Sequence, residues 1–280
     1  MQLSLPWRYG QSKPFGSIPR INWSHPITNN LWSCILPASN GDPQLNAQQQ
    51  QSSWTKPAIV GSFIFGTTPV GLGLRTNYGG THGSVGNVWT KTSIPGTGAG
   101  DFTTCCLVYV NTTTVVNGGA PILGDFFGQT ASDASPDHGY FIQGATPTFT
   151  AYTQGTNFTT SPTIVAGKVY ALMFTRLGTA CTFYINGISR STGTSSLAVY
   201  SSATSRYYFG VYDADGTTNQ SDVTILFAGG WNRALTATEA MSWAQDPYGF
   251  LIYPEDEMFL LGRVPPFKLD TQKDLIISMH

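Results

Sequence analysis

The chain has 280 residues, a formal net charge of −1, 41% hydrophobic residues and only 10% charged ones. That length suits one large all-β domain or two small ones, and it allows a core that needs no disulfide staples. Lys and Arg are scattered singly, so no basic stripe faces a row of phosphates, and no run approaches the ~20 apolar residues of a membrane span. Nucleic acid and membrane are therefore not expected partners.

Glycine (31 residues), proline (17 residues) and Ser/Thr clusters break the chain at short intervals, close to the ~8–12-residue spacing of a β-sandwich or barrel. The start, Met1-Gln-Leu-Ser-Leu-Pro-Trp-Arg-Tyr-Gly10, lacks a cationic stretch followed by an apolar run, so no signal peptide is expected. Pro6, Pro14 and Pro19 alternate with Trp7, Tyr9 and Phe15, which suits an extended arm over residues 1–20. The globular part is read as residues 21–254, and residues 255–280 as a C-terminal extension.

Leu31-Trp-Ser-Cys-Ile-Leu36 is the first predicted strand of the globular part, followed by a polar loop that holds Gln48 to Gln51. Ala58 to Phe65 and Gly71 to Leu74 are further candidates. Asp101-Phe-Thr-Thr-Cys-Cys-Leu-Val-Tyr-Val110 is nearly continuous in β-formers, as a strand between two packed layers should be. Pro121 to Phe127, Gly139 to Gln143 and Thr148 to Tyr152 continue the series. Val169 to Arg176 and Cys181 to Ile185 follow, with a turn at Asn186-Gly187. Arg206 to Tyr212 and a buried strand that opens the run from Val223 to Glu239 complete it.

One helix is predicted after these strands. Thr236 and Glu239 have the spacing of a capping box, Ala237, Ala240, Met241, Trp243 and Ala244 form an apolar face, and Asp246-Pro247 ends it. Cys34, Cys105, Cys106 and Cys181 include no CxxC pair; Cys105 and Cys106 point to opposite faces of one strand, which suits buried, reduced thiols. The sequons at Asn111 and Asn157 carry no weight without secretion.

The ordered set Ile21-Asn-Trp-Ser-His-Pro-Ile27, Asp101-Phe-Thr103, Phe183-Tyr-Ile-Asn-Gly187, Ala228-Gly-Gly-Trp-Asn-Arg-Ala-Leu-Thr-Ala-Thr-Glu239 and Asp246-Pro-Tyr248 resembles the concanavalin A-like, laminin G-type jelly-roll superfamily. The likeness is strongest to versions encoded by tailed bacteriophages. It implies an all-β fold, a jelly-roll sandwich of two antiparallel sheets with one short C-terminal helix. It also implies that Trp231 and Glu239 stabilise the fold.

The superfamily serves lectins, hydrolases and virion proteins alike, so function must be read from sites. Relatives that cleave β-glucans alternate carboxylates along one strand, at the close separation that retaining hydrolysis needs. The only glutamates here are Glu239, Glu255 and Glu257, none of them before the closing helix, so such a strand cannot be built. Glu255-Asp-Glu257 reads as a solvated turn. None of His25, His82, His138 and His280 lies in a nucleophile-elbow context. No enzyme activity is expected.

Two ligand features stand out. Asp213, Asp215 and Asn219 lie in an acidic loop and form a calcium candidate, although the same residues are ordinary in β-turns. Tyr208 and Tyr212 share one strand face, with Tyr207 on the other; together with Trp54 and Trp89 in polar loops they are candidates for stacking on sugars, with core packing as the alternative.

The expected function is a non-enzymatic virion protein of a tailed phage, a capsid decoration or fibre-like subunit on the virion surface, assembled in the host cytoplasm. Its expected partners are other virion proteins such as the major capsid protein, and sister copies in a trimer. The apolar run Phe259 to Phe267 and Leu275 to Ile277 would be satisfied by such a surface. The alternative is a lectin-like adhesion module for host glycans, with a hydrolase third.

Overall fold

A computed structural model describes residues 20–36, 44–45, 64–76, 100–113, 123–130, 138–143, 146–153, 156–195, 206–209 and 221–252. In chain order the strands are β1 (Arg20–Ile21), β2 (Leu31–Ile35), β3 (Gln44–Leu45), β4 (Ile64–Thr68), β5 (Gly71–Arg75), β6 (Phe102–Val110), β7 (Leu123–Thr130) and β8 (His138–Gln143). There follow β9 (Thr148–Thr153), β10 (Thr156–Thr159), β11 (Val169–Leu177), β12 (Ala180–Ile185), β13 (Ile188–Thr194), β14 (Arg206–Phe209), β15 (Val223–Trp231) and β16 (Leu251–Ile252). Between β15 and β16 lies α1 (Ala237–Gln245), the one α-helix among the described residues.

Two antiparallel sheets make the sandwich. One has five strands in the order β10-β9-β8-β7-β14. The other has nine: its main path runs β13-β12-β11-β6-β15-β2-β3, while the β4–β5 pair joins through β5 to the N-terminal end of β15. The fold is the all-β, jelly-roll-like sandwich that the strand pattern predicts. A feature not anticipated is a separate ribbon in which Arg20 and Ile21 of β1 pair with Ile252 and Leu251 of β16.

The nine-stranded sheet is a middle layer. Its inner face supplies Val108, Leu172, Phe174, Phe183 and Ile225 to one apolar cluster, against Tyr140, Phe149 and Phe158 of the five-stranded sheet. Its outer face supplies Leu107, Met173, Phe227 and Trp231 to a second cluster, covered by Trp243 of α1 and by Tyr248 and Phe250. With cores on both faces, β15 is buried at all nine positions, which is why its sequence, apart from Thr224, carries no polar side chain and does not alternate. Cys105 faces the second cluster and Cys106 the first, as their adjacency requires, and all four cysteines are buried free thiols.

The capping box forms as predicted. The Glu239 amide donates to Thr236 Oγ1 (3.2 Å), and the Thr236 amide donates to Glu239 Oε2 (2.9 Å). Asp246, the residue before Pro247, is the C-cap. Trp231 is fully buried and its indole N–H donates to the Ile27 carbonyl (2.6 Å), tying the closing strand to the segment before β2.

The hairpin between β12 and β13 turns at Asn186 (φ 54°) and Gly187 (φ 75°), the left-handed pair that a tight two-residue hairpin requires. Asn186 also bridges to β11: its amide donates to the Ala171 carbonyl (2.7 Å), and its Oδ1 accepts from the Ala171 amide (2.9 Å). The turn lies beneath α1. A Cβ on Gly187 would stand 2.6 Å from Met241 Cα, well inside van der Waals contact.

Candidate functional site

Strand alternation sets the two faces of the five-stranded sheet. Tyr140 and Ile142 of β8, Phe149 and Ala151 of β9, and Phe158 of β10 point into the sandwich. Phe141, Gln143, Thr148, Thr150, Tyr152, Asn157 and Thr159 therefore stand on the outer face, away from both cores.

The register brings these outer residues together. Phe141 is opposite Thr150, which is opposite Thr159, and Tyr152 is opposite Asn157. Phe141 and Tyr152 stack with ring centroids 5.8 Å apart, tilted by 52°. Thr150 Oγ1 donates to Gln143 Oε1 (2.8 Å), and Thr159 Oγ1 lies 3.4 Å from that oxygen and 3.2 Å from Thr150 Oγ1. Phe141 and Thr150 are covered, at 3% and 0% exposure. Gln143 and Tyr152 are half-buried, and Asn157 and Thr159 are exposed, so the open part of the patch runs along the edge strand β10, with Gln143 and Tyr152 at its ends.

Of the sequence-predicted ligand residues, only Tyr208 falls on a described strand. It is paired with Gly128 of β7, in a row that continues through Gly139 and Tyr152 to Asn157. Its register position is therefore on the outer face that also carries Tyr152. Tyr212, Trp54 and Trp89 lie outside the described residues, as do Asp213, Asp215 and Asn219 of the calcium candidate.

The acidic run ends at Asp222, whose carboxylate is engaged inside the protein. It accepts from Arg75 Nε (2.7 Å) and Nη2 (2.6 Å), and from Asn111 Nδ2 (2.9 Å). The Asn111 sequon amide is thereby committed to the fold. Among the described residues, no three His, Cys, Asp or Glu side chains converge as a metal site.

Two other groups with acid–base potential, Glu239 and His138, are also engaged. Arg233 grips Glu239 through a two-pronged pair (3.0 and 2.7 Å), and this contact holds the carboxyl down at about 2. His138 lies in the core between Phe102 and Phe174. Its Nδ1 is 2.7 Å from the Tyr152 carbonyl, which only accepts, so Nδ1 carries the proton. Nε2 then accepts from Thr104 Oγ1 (2.6 Å), and the Tyr140 hydroxyl donates to the Thr104 carbonyl (2.9 Å). Burial pulls the imidazole down to about 4.

Gln143, Thr150, Tyr152, Asn157 and Thr159 are absent from the sequence-based candidates. Alternation in Gly139 to Gln143 and in Thr148 to Tyr152 shows which residues share a face within each strand. The pairing that joins the strands depends on register, for which no local signal exists.

No protein-family model and no curated protein sequence matches the chain. Solved structures do resemble it. The binding domain of Paraclostridial mosquitocidal protein 1 overlays with a TM-score of 0.57 at 13% identity, over 80% of this chain and 53% of that one. Domain 4 of AbnA, a GH43 extracellular arabinanase from Geobacillus stearothermophilus in complex with arabinotriose, overlays at 0.46 and 17% identity, over 66% of this chain and 82% of that one. Trypanosoma rangeli sialidase overlays at 0.45 and 17%, over 64% and 28%. The first likeness is one of fold, and this chain spans about half of that structure. It places the chain among β-sandwich proteins of the jelly-roll class.

Proposed function

We propose that this protein is a non-enzymatic, lectin-like module that binds neutral carbohydrate through the outer face of its five-stranded sheet. The observation that carries this reading is the patch itself: an aromatic ring in Tyr152, amides in Gln143 and Asn157, and a hydroxyl in Thr159, on a β-scaffold that holds them in place. Sugars are recognised by such a mixture of a ring to stack on and a few oriented hydrogen-bonding groups. The structural engagement of Glu239, Asp222 and His138 supports a role without chemistry. So does the low charge of the chain.

Its setting is the surface of a tailed-phage virion, as a decoration or fibre-like subunit, and the phage-like resemblance of the motifs from Ile21 to Tyr248 supports this. A glycan array probed with and without calcium tests the binding activity. Signal on neutral glycans is expected, and none above background in either condition refutes it. Mass spectrometry of purified particles tests the setting; absence of the subunit refutes the virion role and leaves the binding activity standing.

A further inference from the structure

We infer that Gln143 is the specificity-determining donor of this face, and that the ligand is a neutral oligosaccharide chain laid along its β10 edge, from Gln143 past Thr159 and Asn157 to Tyr152. The inference rests on the carbohydrate-binding reading above. Three observations lead to it.

The first is the orientation of an amide. Thr150 Oγ1 donates to Gln143 Oε1, and Thr159 Oγ1 approaches the same oxygen. Thr150 is fully buried, so its hydroxyl has no water to turn to and holds this bond. With the oxygen occupied on the sheet side, Gln143 presents Nε2, whose two hydrogens have no partner among the described residues. A glutamine free in solution shows either end; one held this way shows donors. A ligand that meets it must offer acceptors, such as sugar hydroxyl or ring oxygens.

The second is length. Gln143 is opposite Thr148, and Tyr152 lies four residues further along β9, roughly 13 Å at strand spacing. Thr150 and Phe141 lie between and are buried, so the open path from one end to the other passes over the exposed Thr159 and Asn157 of β10. A patch with a donor at one end and an aromatic ring at the other is too long for one sugar ring and suits a chain of them. Asn157, opposite Tyr152 on the edge strand β10, adds a second amide beside the ring.

The third is charge. Gln143, Thr148, Thr150, Tyr152, Asn157 and Thr159 are all uncharged. On β8, β9 and β10 the outer-face positions carry no charged residue, and Asp125 of β7 is paired with Phe141. Among the described residues of these three strands, an anionic chain finds no cation on this face. A neutral chain needs none.

Gln143→Glu tests the inference because it keeps size and shape, and the threonines still donate to its carboxylate. What it removes is the outward pair of donors. Affinity electrophoresis of the full chain at pH 7, in gels cast with soluble glucan, mannan, galactan, xylan or polygalacturonate, reads the effect.

The expected result is retardation of the wild type by at least one neutral polymer and not by polygalacturonate, with competition by its oligosaccharides and not by the monosaccharide. Gln143→Glu should lose roughly tenfold in affinity with an unchanged melting temperature. Thr150→Val with Thr159→Val, which frees the amide to turn, should lose a smaller factor. If Gln143→Glu destabilises the protein, Gln143→Met supplies the same loss of donors without a charge. Retardation of Gln143→Glu and Gln143→Met equal to wild type overturns the donor role alone. Wild-type retardation by none of the polymers overturns the carbohydrate reading, and this inference with it.

Discussion

Gly187→Ala is predicted to be among the costliest single-methyl additions in the chain, and Gly178→Ala provides its control. Both glycines sit in hairpin turns with positive φ, 75° at Gly187 and 60° at Gly178, so an alanine meets the left-handed penalty at each, roughly 1–2 kcal/mol. Part of that is offset by the stiffer unfolded chain, ~0.4–1 kcal/mol. The surroundings differ. Nothing lies within 4 Å of the added methyl at Gly178, whereas at Gly187 it meets Met241 Cα at 2.6 Å and Met241 Sδ at 2.9 Å.

The sulfur can swing away; the helix backbone cannot move without dragging Ala240, Trp243 and Ala244 out of the second cluster. Overpacking of that kind costs typically ~1–3 kcal/mol. Gly178→Ala should therefore lose at most about 1.6 kcal/mol, and Gly187→Ala a further ~1–3 kcal/mol on top of that. Urea denaturation of both variants gives the difference, and hydrogen exchange should show faster exchange at the α1 amides in Gly187→Ala only. Equal losses in the two variants, or no change in α1 exchange, would refute the packing of the turn against the helix.

Two further outcomes concern the core and the cap. The unfolded chain protonates His138 near 6.5 and the folded chain only near 4, so stability is full above pH 6.5 and falls as pH drops towards 4. The slope reaches ~1.4 kcal/mol per pH unit and the total is about 3 kcal/mol. Denaturant melts at pH 7 and 4.5 should show this loss in the wild type and a shallower one in His138→Gln; parallel slopes would contradict the burial of a neutral imidazole. Thr236→Ala removes the hydroxyl of the capping box and should cost ~1 kcal/mol, read as a lower urea midpoint at an unchanged m-value. A midpoint equal to that of the wild type would mean that the Arg233–Glu239 pair holds the helix start by itself.

The strands legible in the sequence are those whose burial is extreme. β6, β11, β12 and β15 carry apolar side chains toward one or two cores, and hydrophobic content marks them wherever they pair. α1 is legible because its cap and stop are local chemistry: Thr236 with Glu239, then Asp246 before Pro247. β13 is not, because Ile188-Ser-Arg-Ser-Thr-Gly-Thr194 is a polar edge strand whose structure comes from pairing with β12. β10 is a shorter edge strand of the same polar kind, held by β9. The β1–β16 ribbon joins opposite ends of the described chain, Arg20 with Ile252 and Ile21 with Leu251. Partners so far apart in sequence leave no local signal of their pairing.

The candidate site was hidden for a related reason. Gln143, Thr150 and Thr159 are each ordinary residues in their own strands, and only the register of β8, β9 and β10 makes them one network. Tyr208 was legible as an aromatic on a strand, but its neighbours in the row, Gly128 and Tyr152, were not.

The middle position of the nine-stranded sheet bears on how such a protein can change over evolutionary time. None of Gln143, Tyr152, Asn157 and Thr159 belongs to either apolar cluster. The seam that closes the fold, where β15 meets α1, lies on the far side of both sheets from them, beyond the ~10 Å of usual sheet spacing. Substitutions at the exposed Asn157 and Thr159 therefore leave the residues that decide folding untouched, and variation on that edge carries little risk of unfolding.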